Sequence, residues 1–527
     1  MTPACRPLPR ANVRLLDSPF LHRANLNRAY IASLTVENLV QNYALEAGLR
    51  QWTDGNSPPG PEGTAASHHW GWESPTCQVR GHFLGHWLSA AAQLWAANQD
   101  AELKLKADQI VAELARCQDK HGGGWCSPIP EKYMHWLANG QPTWAPHYVH
   151  HKTLMGLHDM WMFARSDLAL QVADRLGDWF HAWSGDFSQE KLDDILDVET
   201  GAMLEAWADL YGATGEAKYL DLIQRYTRRR LFDVLLAGKD PLTNLHANTT
   251  IPEAHGAARC YEVTGDERWR AIVEAYWKCA VTDRGAFCTG GQTSGEIWTP
   301  PVEFAARRGD KNQEHCTVYN MIRLADYIFR WTGEARYLDY IERNLYNGIL
   351  AQQHPHTGMI SYFLPLEAGA HKRWGSPTND FWCCHGSLVQ AHVAHAARAL
   401  FADEDGFLVA QYIPAEMTAD WQGTPVRIRL ELDPRNGSTH ALVDRGAAFG
   451  GSDHRPNSWL VRVRVTCEPP VPFVLKLRLP EWLSDNARLQ LNGRDLDCPL
   501  NLLGAGGGVH KRPPGGAGRD RQAEFLE

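Results

Sequence analysis

One short phrase, used three times, limits what this chain can fold into. Thr214-Gly215-Glu216-Ala217-Lys218-Tyr219, Thr264-Gly265-Asp266-Glu267-Arg268-Trp269 and Thr332-Gly333-Glu334-Ala335-Arg336-Tyr337 each stand between two runs of helical spacing. A weaker version is Ala97-Asn98-Gln99-Asp100-Ala101-Glu102-Leu103. The glycine ends one helix, the acid caps the next, and the aromatic opens its buried stripe. The phrases start 50 and 68 residues apart. Such irregular spacing implies helical hairpins closing into an α/α toroid rather than a regular solenoid. Loops on one rim of the ring would form a pocket. His147, His150, His151, the segment Leu245-His246-Ala247-Asn248-Thr249 and a thiol cluster are expected to meet there.

The remaining stretches fit around that ring. Residues 13–47 have a helical pattern, with Leu34, Val36, Leu39 and Val40 on one side, and a Gly/Pro/Ser-rich loop follows at 54–67. In Arg80-Gly81-His82-Phe83-Leu84-Gly85-His86-Trp87-Leu88-Ser89 the small residues recur every fourth position, which lets a helix approach its neighbour closely. His82 and His86 share a face there. Without the intervening Glu of a zincin motif, packing or substrate contact is the better reading than metal. After Phe407 the period becomes two: 426–432, 460–465 and 473–479 alternate apolar and charged residues, as half-buried antiparallel strands of a β-sandwich do. The expected organisation is a catalytic helical domain at 1–406, a β-sandwich domain at 407–502, and an irregular tail at 503–527.

Composition excludes several classes. The 527 residues exceed one ordinary core, but a toroid absorbs most of them as one unit. Hydrophobic residues make up 44% and charged residues 21%, with no run long enough to span a bilayer, so a membrane partner is not expected. Net charge is −9, and Arg228-Arg229-Arg230, the one basic block, reads as the solvated end of a helix, which argues against nucleic acid. The N-terminus lacks the apolar core of a secretory signal, so a cytoplasmic location is expected and the twelve cysteines read as thiols or ligands rather than staples. The 21 tryptophans and 24 histidines suit a sugar, which offers apolar CH faces and a ring of hydroxyls. The pattern leaves a homodimer open.

The chemistry gathers between Gly295 and Gly386. Gly295-Glu296, Glu314-His315-Cys316 and Phe381-Trp382-Cys383-Cys384-His385-Gly386 bring two carboxylates and three thiols into about ninety residues, which suggests a soft-metal site beside an acid because thiolates prefer zinc to harder ions. Glu314 and Cys316 can point the same way from an extended or turn segment, whereas adjacent cysteines need a tight, strained turn to face one ion. A four-coordinate zinc on three thiolates and a carboxylate reads as a closed structural site. Free thiols or a vicinal disulfide are further readings of the same residues. Glu303 is a second acid candidate, its plainer reading a rim salt bridge.

Taken together, Gly290-Gly291 with Gly295-Glu296, Glu314-His315-Cys316, Trp382-Cys383-Cys384 and Leu245-His246-Ala247-Asn248-Thr249-Thr250-Ile251-Pro252 resemble glycoside hydrolase family 127. The likeness runs from about Val13 to Asn492 and includes Arg80-Gly81-His82-Phe83, Trp144-Ala145-Pro146 with His151-Lys152, and Leu345-Tyr346-Asn347 before Tyr362-Phe363. The resemblance implies an (α/α)6 barrel followed by a β-sandwich, and a retaining β-L-arabinofuranosidase acting on plant-derived oligosaccharides. It implies Cys383 as a zinc-bound nucleophile, Glu314, Cys316 and Cys384 as the other zinc ligands, and Glu296 as general acid/base. His151, His246 and Tyr362 match sugar-contacting positions. His385 stands where many relatives carry a small residue, which would narrow or charge the pocket. Two other classes stay open: a sugar-binding protein with a structural zinc, and an α/α-toroid lyase acting on uronic acids.

Overall fold

The computed structural model describes residues 3–50, 68–432, 460–483 and 488–495. The loop expected at 54–67 and the tail from Leu503 lie outside the described residues. By compactness the chain divides into two units: Pro19–Leu324 with Tyr346–Ala394, and Thr2–Ser18 with Ala325–Leu345 and His395–Glu527.

The first unit is built around inner helices that are buried on nearly every side: His82–Asn98, Pro146–Ala164, Met203–Thr214, Ala247–Thr264, the start of His315–Thr332, and Cys383–Ala391. Each of the first three packs on the next, and Cys383–Ala391 packs back on His82–Asn98. His255 Nε2 meets the Asn320 carbonyl at 2.8 Å and His315 Nδ1 meets Ser387 Oγ at 2.8 Å, which joins the remaining neighbours and closes the ring. Helices with one buried stripe stand outside it. Ala101–Lys120, Asp167–Gly185, Ala217–Arg225 and Glu267–Trp277 each pack on the inner helix before them. Pro19–Ser33 is held to the last inner helix by Asn27 Nδ2, which donates to the Val389 carbonyl at 3.0 Å. This is the (α/α)6 arrangement that the hairpins and the resemblance implied.

The repeated phrase works much as expected, with one addition. Gly215, Gly265 and Gly333 sit at φ +71°, +73° and +70°, the left-handed conformation in which glycine ends a helix at least cost. Tyr219, Trp269 and Tyr337 are buried. The acids divide: Asp266 accepts from the Arg268 N–H, but Glu216 and Glu334 occupy the cap position without a capping bond. The threonines supply what those glutamates do not. Each Thr Oγ1 accepts the N–H of the acid two residues on at 3.2 Å, and this explains a position the sequence reading left unassigned.

Close helix approach is set by glycine. A Cβ placed on Gly85 would sit 1.8 Å from the Lys152 carbonyl oxygen, and one on Gly156 would sit 2.6 Å from the Gly85 oxygen, so the first two inner helices cross backbone to backbone.

The second unit holds two four-stranded sheets. One runs Arg6–Pro7, Leu400–Ala402, Gly406–Val409, Val474–Leu477; the other runs Val13–Leu15, Ala415–Trp421, Thr424–Leu432, Val461–Cys467. In Thr424–Leu432, Val426, Ile428 and Leu430 are buried while Arg427 is exposed, which is the expected period of two. The Phe407 and Trp421 rings, one from each sheet, lie 5.5 Å apart. Three expectations need correction. Val13–Leu15 is a strand and the first helix starts at Pro19; three residues are too few to separate the two periods, and pairing with Ala415–Met417, not local propensity, decides. Val474–Leu477 pairs parallel to Gly406–Val409, because the chain leaves Val461–Cys467 in the other sheet and cannot return as a hairpin. Arg228 and Arg230 are not merely solvated: they pair with Asp194, Asp197 and the buried Glu253.

Gly85→Ala is expected to lower stability by at least ~2 kcal/mol, since the clash is with backbone and no side chain can yield. Chemical denaturation checks this. An unchanged midpoint would contradict the close crossing.

Candidate active site

Two inner helices begin at the same place. Glu314 immediately precedes His315–Thr332, with Cys316 in its first turn, and Cys383 and Cys384 are the first two residues of Cys383–Ala391. The vicinal pair therefore needs no strained turn of its own, contrary to the expectation from adjacency. The strain lies one step earlier, at Phe381, whose φ is +48°. Glu314 and Cys316 likewise stand at a helix start rather than on an extended segment. Free backbone N–H groups at such ends favour negative charge.

One ligand atom from each of Glu314, Cys316, Cys383 and Cys384 lies within 4.8 Å of all the others, and all four residues are buried. The Cys316 and Cys384 sulfurs are 3.5 Å apart, those of Cys383 and Cys384 4.0 Å, and Cys383 Sγ is 3.8 Å from Glu314 Oε1. The cysteines are free thiols, not a vicinal disulfide. Ser387 Oγ stands 3.2 Å from Cys316 Sγ, and Thr317 donates to Glu314 Oε2 at 3.1 Å. Sequence reading missed Ser387, although its place one helical turn beyond Cys384 is the signal that would have found it.

Glu296 reaches the cluster from a hairpin. Thr293–Ser294 pairs with Ile297–Trp298, and the connecting Gly295 has φ +62°, so the Gly-Glu pair is a two-residue turn with Glu296 at its tip. The Ala247 N–H donates to the Glu296 carbonyl at 2.7 Å, which holds the hairpin beside His246. His246 Nε2 is 3.4 Å from Glu296 Oε2, and both side chains are 37% exposed, in contrast to the buried thiols. The Tyr362 hydroxyl joins the two zones: it donates to Glu296 Oε1 and accepts from the Cys383 thiol across 3.3 Å.

Electrostatics separate the three thiols. Its hydrogen bonds with Cys316, Cys384 and Tyr362 outweigh burial and hold Cys383 well below the ordinary thiol range. Burial drives Cys316 and Cys384 well above it. Glu314 is pushed up by burial, by Cys383 and by Glu296. Glu296 is held down by its bond to His246 and by Tyr362, against burial. A buried Cys383 whose charge raises Glu314, Cys316 and Cys384 is a poor arrangement by itself and a good one around a cation. Three sulfurs and one oxygen, as a four-donor set, fit a zinc-like ion.

The predicted histidines scatter. His246 belongs to the site. His151 does not touch the thiol cluster: it is buried with Nε2 3.6 Å from Glu205 Oε2, a carboxylate shared with Arg323. His147 bonds the Glu199 carbonyl, and His150 bonds the Pro146 carbonyl beneath Trp125. The run at 147–151 thus points three ways around one helix. His82 and His86 pack in the interior, bonded to the Val79 carbonyl and to Gln390 Oε1. His385 neither narrows nor charges the pocket: burial depresses it to about 4, and it bonds the Ser376 carbonyl at 3.1 Å. Glu303 is exposed, with no place in the site. Beside Cys316 a small hollow is lined by His86, Tyr148, Lys152, Asn248 and Arg323 among others. Burial, with Arg323 beside it, pushes Lys152 down to about 8.

Glu73 anchors the neighbouring wall. Its carboxylate accepts from the Gly81 N–H at 2.6 Å, the Phe83 N–H at 3.0 Å and Asn42 Nδ2 at 3.0 Å, at the start of His82–Asn98. Burial still outweighs those bonds and raises it to about 7.

Comparison with known proteins bears on this arrangement. The family model described as the β-L-arabinofuranosidase GH127 catalytic domain matches residues 12–397. Among solved structures, a GH127 β-L-arabinofuranosidase from Geobacillus stearothermophilus T6 superposes with a TM-score of 0.66 at 18% identity, covering 92% of this chain and 77% of that one. A second GH127 β-arabinofuranosidase gives 0.68 at 17% identity over 95% and 77%. These likenesses speak to the fold. No curated protein matches the sequence.

A carboxyl whose folded pKa is raised binds its proton more tightly in the folded state, so stability falls as pH rises from about 4.5 toward about 7. Relative to Glu73→Gln, the wild type is expected to lose roughly 3 kcal/mol across that window. Parallel denaturation curves of the two proteins test it, and equal slopes would contradict it.

Proposed function

The chain belongs to the GH127 β-L-arabinofuranosidase family by its catalytic domain and is a glycoside hydrolase; from that premise we propose that it releases β-L-arabinofuranose from plant-derived oligosaccharides with retention. Cys383 is the nucleophile in this reading and Glu296 the general acid/base. The observation that carries it is the Tyr362 hydroxyl, bonded to the Cys383 sulfur on one side and the Glu296 carboxylate on the other. A proton passed from thiol to carboxylate along that line leaves a thiolate and a carboxylic acid, which are the two forms the first step needs.

The Cys383 thiolate then attacks the anomeric carbon. A carbon–sulfur bond forms, the glycosidic carbon–oxygen bond breaks, and Glu296 gives its proton to the departing oxygen. In the second step Glu296, again a carboxylate, takes a proton from water as the water oxygen displaces sulfur, and two inversions amount to retention. The start of Cys383–Ala391 stabilises the thiolate through its free N–H groups. The half-exposed Glu296 meets both the leaving group and incoming water, while Cys384 is sealed and Cys383 keeps a narrow exposure of 7% through which it meets the sugar. His246 orients the carboxylate, and Tyr362 and the small hollow face the sugar hydroxyls. His151, behind them, supports this wall through Glu205.

A zinc ion on Glu314, Cys316, Cys383 and Cys384 would supply positive charge that favours the thiolate form of Cys383. Elemental analysis is expected to find stoichiometric zinc in the wild type and a loss of it in Cys316→Ser, with a lowered melting temperature. Tight zinc in Cys316→Ser would remove that residue from the ligand set.

Hydrolysis of p-nitrophenyl β-L-arabinofuranoside tests the reading. Wild type is expected to turn over, Cys383→Ser to fall by about a thousand-fold or more, and Tyr362→Phe to lose about a hundred-fold in kcat with KM little changed. Full activity in Cys383→Ser would sink the thiolate mechanism.

A further inference from the structure

We propose that the rim of this site carries a binding subsite for the leaving-group sugar, with Trp144 and Trp72 on one side and Trp382 with Arg373 on the other. The proposal deepens the furanosidase reading and rests on it.

Trp72 and Trp382 both pack, partly exposed, against the cluster of Cys316, Cys383 and Cys384, so both flank the nucleophile. They are also tied together through backbone. The Trp70 and Trp72 N–H groups donate to the Thr378 and Asp380 carbonyls at 3.0 and 2.9 Å. Gly71, at φ +61°, permits this: a Cβ there would sit 2.3 Å from the Asp380 oxygen. The loop that delivers Cys383 therefore also fixes the tryptophan opposite.

Trp144 extends this wall outward. Its ring meets Trp72 edge to face at 5.0 Å and 76°, and yet it remains 47% exposed, one of few large hydrophobic side chains so placed. Its N–H is held by Gln78 Oε1 at 2.7 Å. The next residue, Ala145, takes φ +48°, a conformation that alanine rarely adopts. Gly71, Ala145 and Phe381 all have positive φ, and each adjoins one of the three tryptophans. At Ala145 and Phe381, where a side chain makes that conformation costly, the strain is retained where it aims the adjoining indoles. The exposed Arg373 guanidinium lies 5.7 Å from the Trp382 ring and offers hydrogen-bond donors beside an aromatic face.

The two ends of the site differ in kind. At one end the hollow beside Cys316 has Lys152, Arg323 and Asn248 in its lining, groups that suit sugar hydroxyls. The open end is aromatic. With the anomeric carbon fixed between Cys383 and Glu296, the departing alcohol points toward water and so toward the open end. A sugar there would lay its CH face on the exposed indole.

The test compares two alkyl glycosides that differ only in reach: methyl β-L-arabinofuranoside and a β-L-arabinofuranosyl disaccharide. Trp144→Ala is expected to cost about ten-fold in kcat/KM on the disaccharide and to leave the methyl glycoside within about two-fold. Trp144→Tyr is expected to recover most of the loss. An unchanged disaccharide rate, or an equal loss on both substrates, would overturn the subsite. If the wild type cleaves neither, the furanosidase reading fails separately. Calorimetric titration with an arabino-oligosaccharide then decides the subsite: weaker binding by Trp144→Ala supports it, and equal binding or none by the wild type overturns it.

Discussion

Everything at the centre of this molecule depends on holding negative charge where water cannot reach it. Glu314, Cys316, Cys383 and Cys384 are buried together, and each ionised member raises the cost of ionising the next. Two devices answer that cost. Two helices start at the cluster, and helix N-termini favour negative charge; the donor set also has the softness and number that a zinc-like cation takes. The same field divides labour among the thiols. Cys383, hydrogen-bonded with Cys316, Cys384 and Tyr362, is favoured as thiolate over both neighbouring cysteines.

Such a cluster needs a frame that does not yield, and the inner ring supplies one through close approach rather than bulk. Gly85 and Gly156 let two inner helices touch through backbone, and Gly386 makes room for the His86 ring, from which an added Cβ would sit 2.1 Å. Gln390 links the sixth inner helix to the first through His86 and Ser89. Glu296 comes from outside this frame, on a hairpin turn that Gly295 makes possible. The buried Cys383 thiol and the half-exposed Glu296 carboxylate thus rest on different elements, bridged by Tyr362.

Local and periodic signals were legible in the sequence; features set by distant partners were not. The three helical hairpins were readable because Gly215, Gly265 and Gly333 act through their own backbone conformation. Thr424–Leu432 was readable because burial alternates along one strand. The four-donor cluster was recognised through residue types and resemblance, and the fold brings those residues together. The helical setting of Cys383 and Cys384 was not readable, because the strain that turns the chain sits at Phe381, an ordinary residue in sequence. Nor could sequence tell His151 from His147 and His150: all three lie on one apolar helix, and only their partners Glu205, Glu199 and Pro146 distinguish them. The strand at Val13–Leu15 and the parallel pairing of Val474–Leu477 depend on segments hundreds or tens of residues away.

The central claim is that sulfur, not a carboxylate, takes the sugar. Peptide mass spectrometry after rapid acid quench of the wild-type enzyme turning over a β-L-arabinofuranoside tests it most directly. The account predicts a peptide carrying one dehydrated pentosyl unit on Cys383. A pentosyl unit on Glu296 or Glu314, or turnover under single-turnover sampling with no modified peptide, would contradict it.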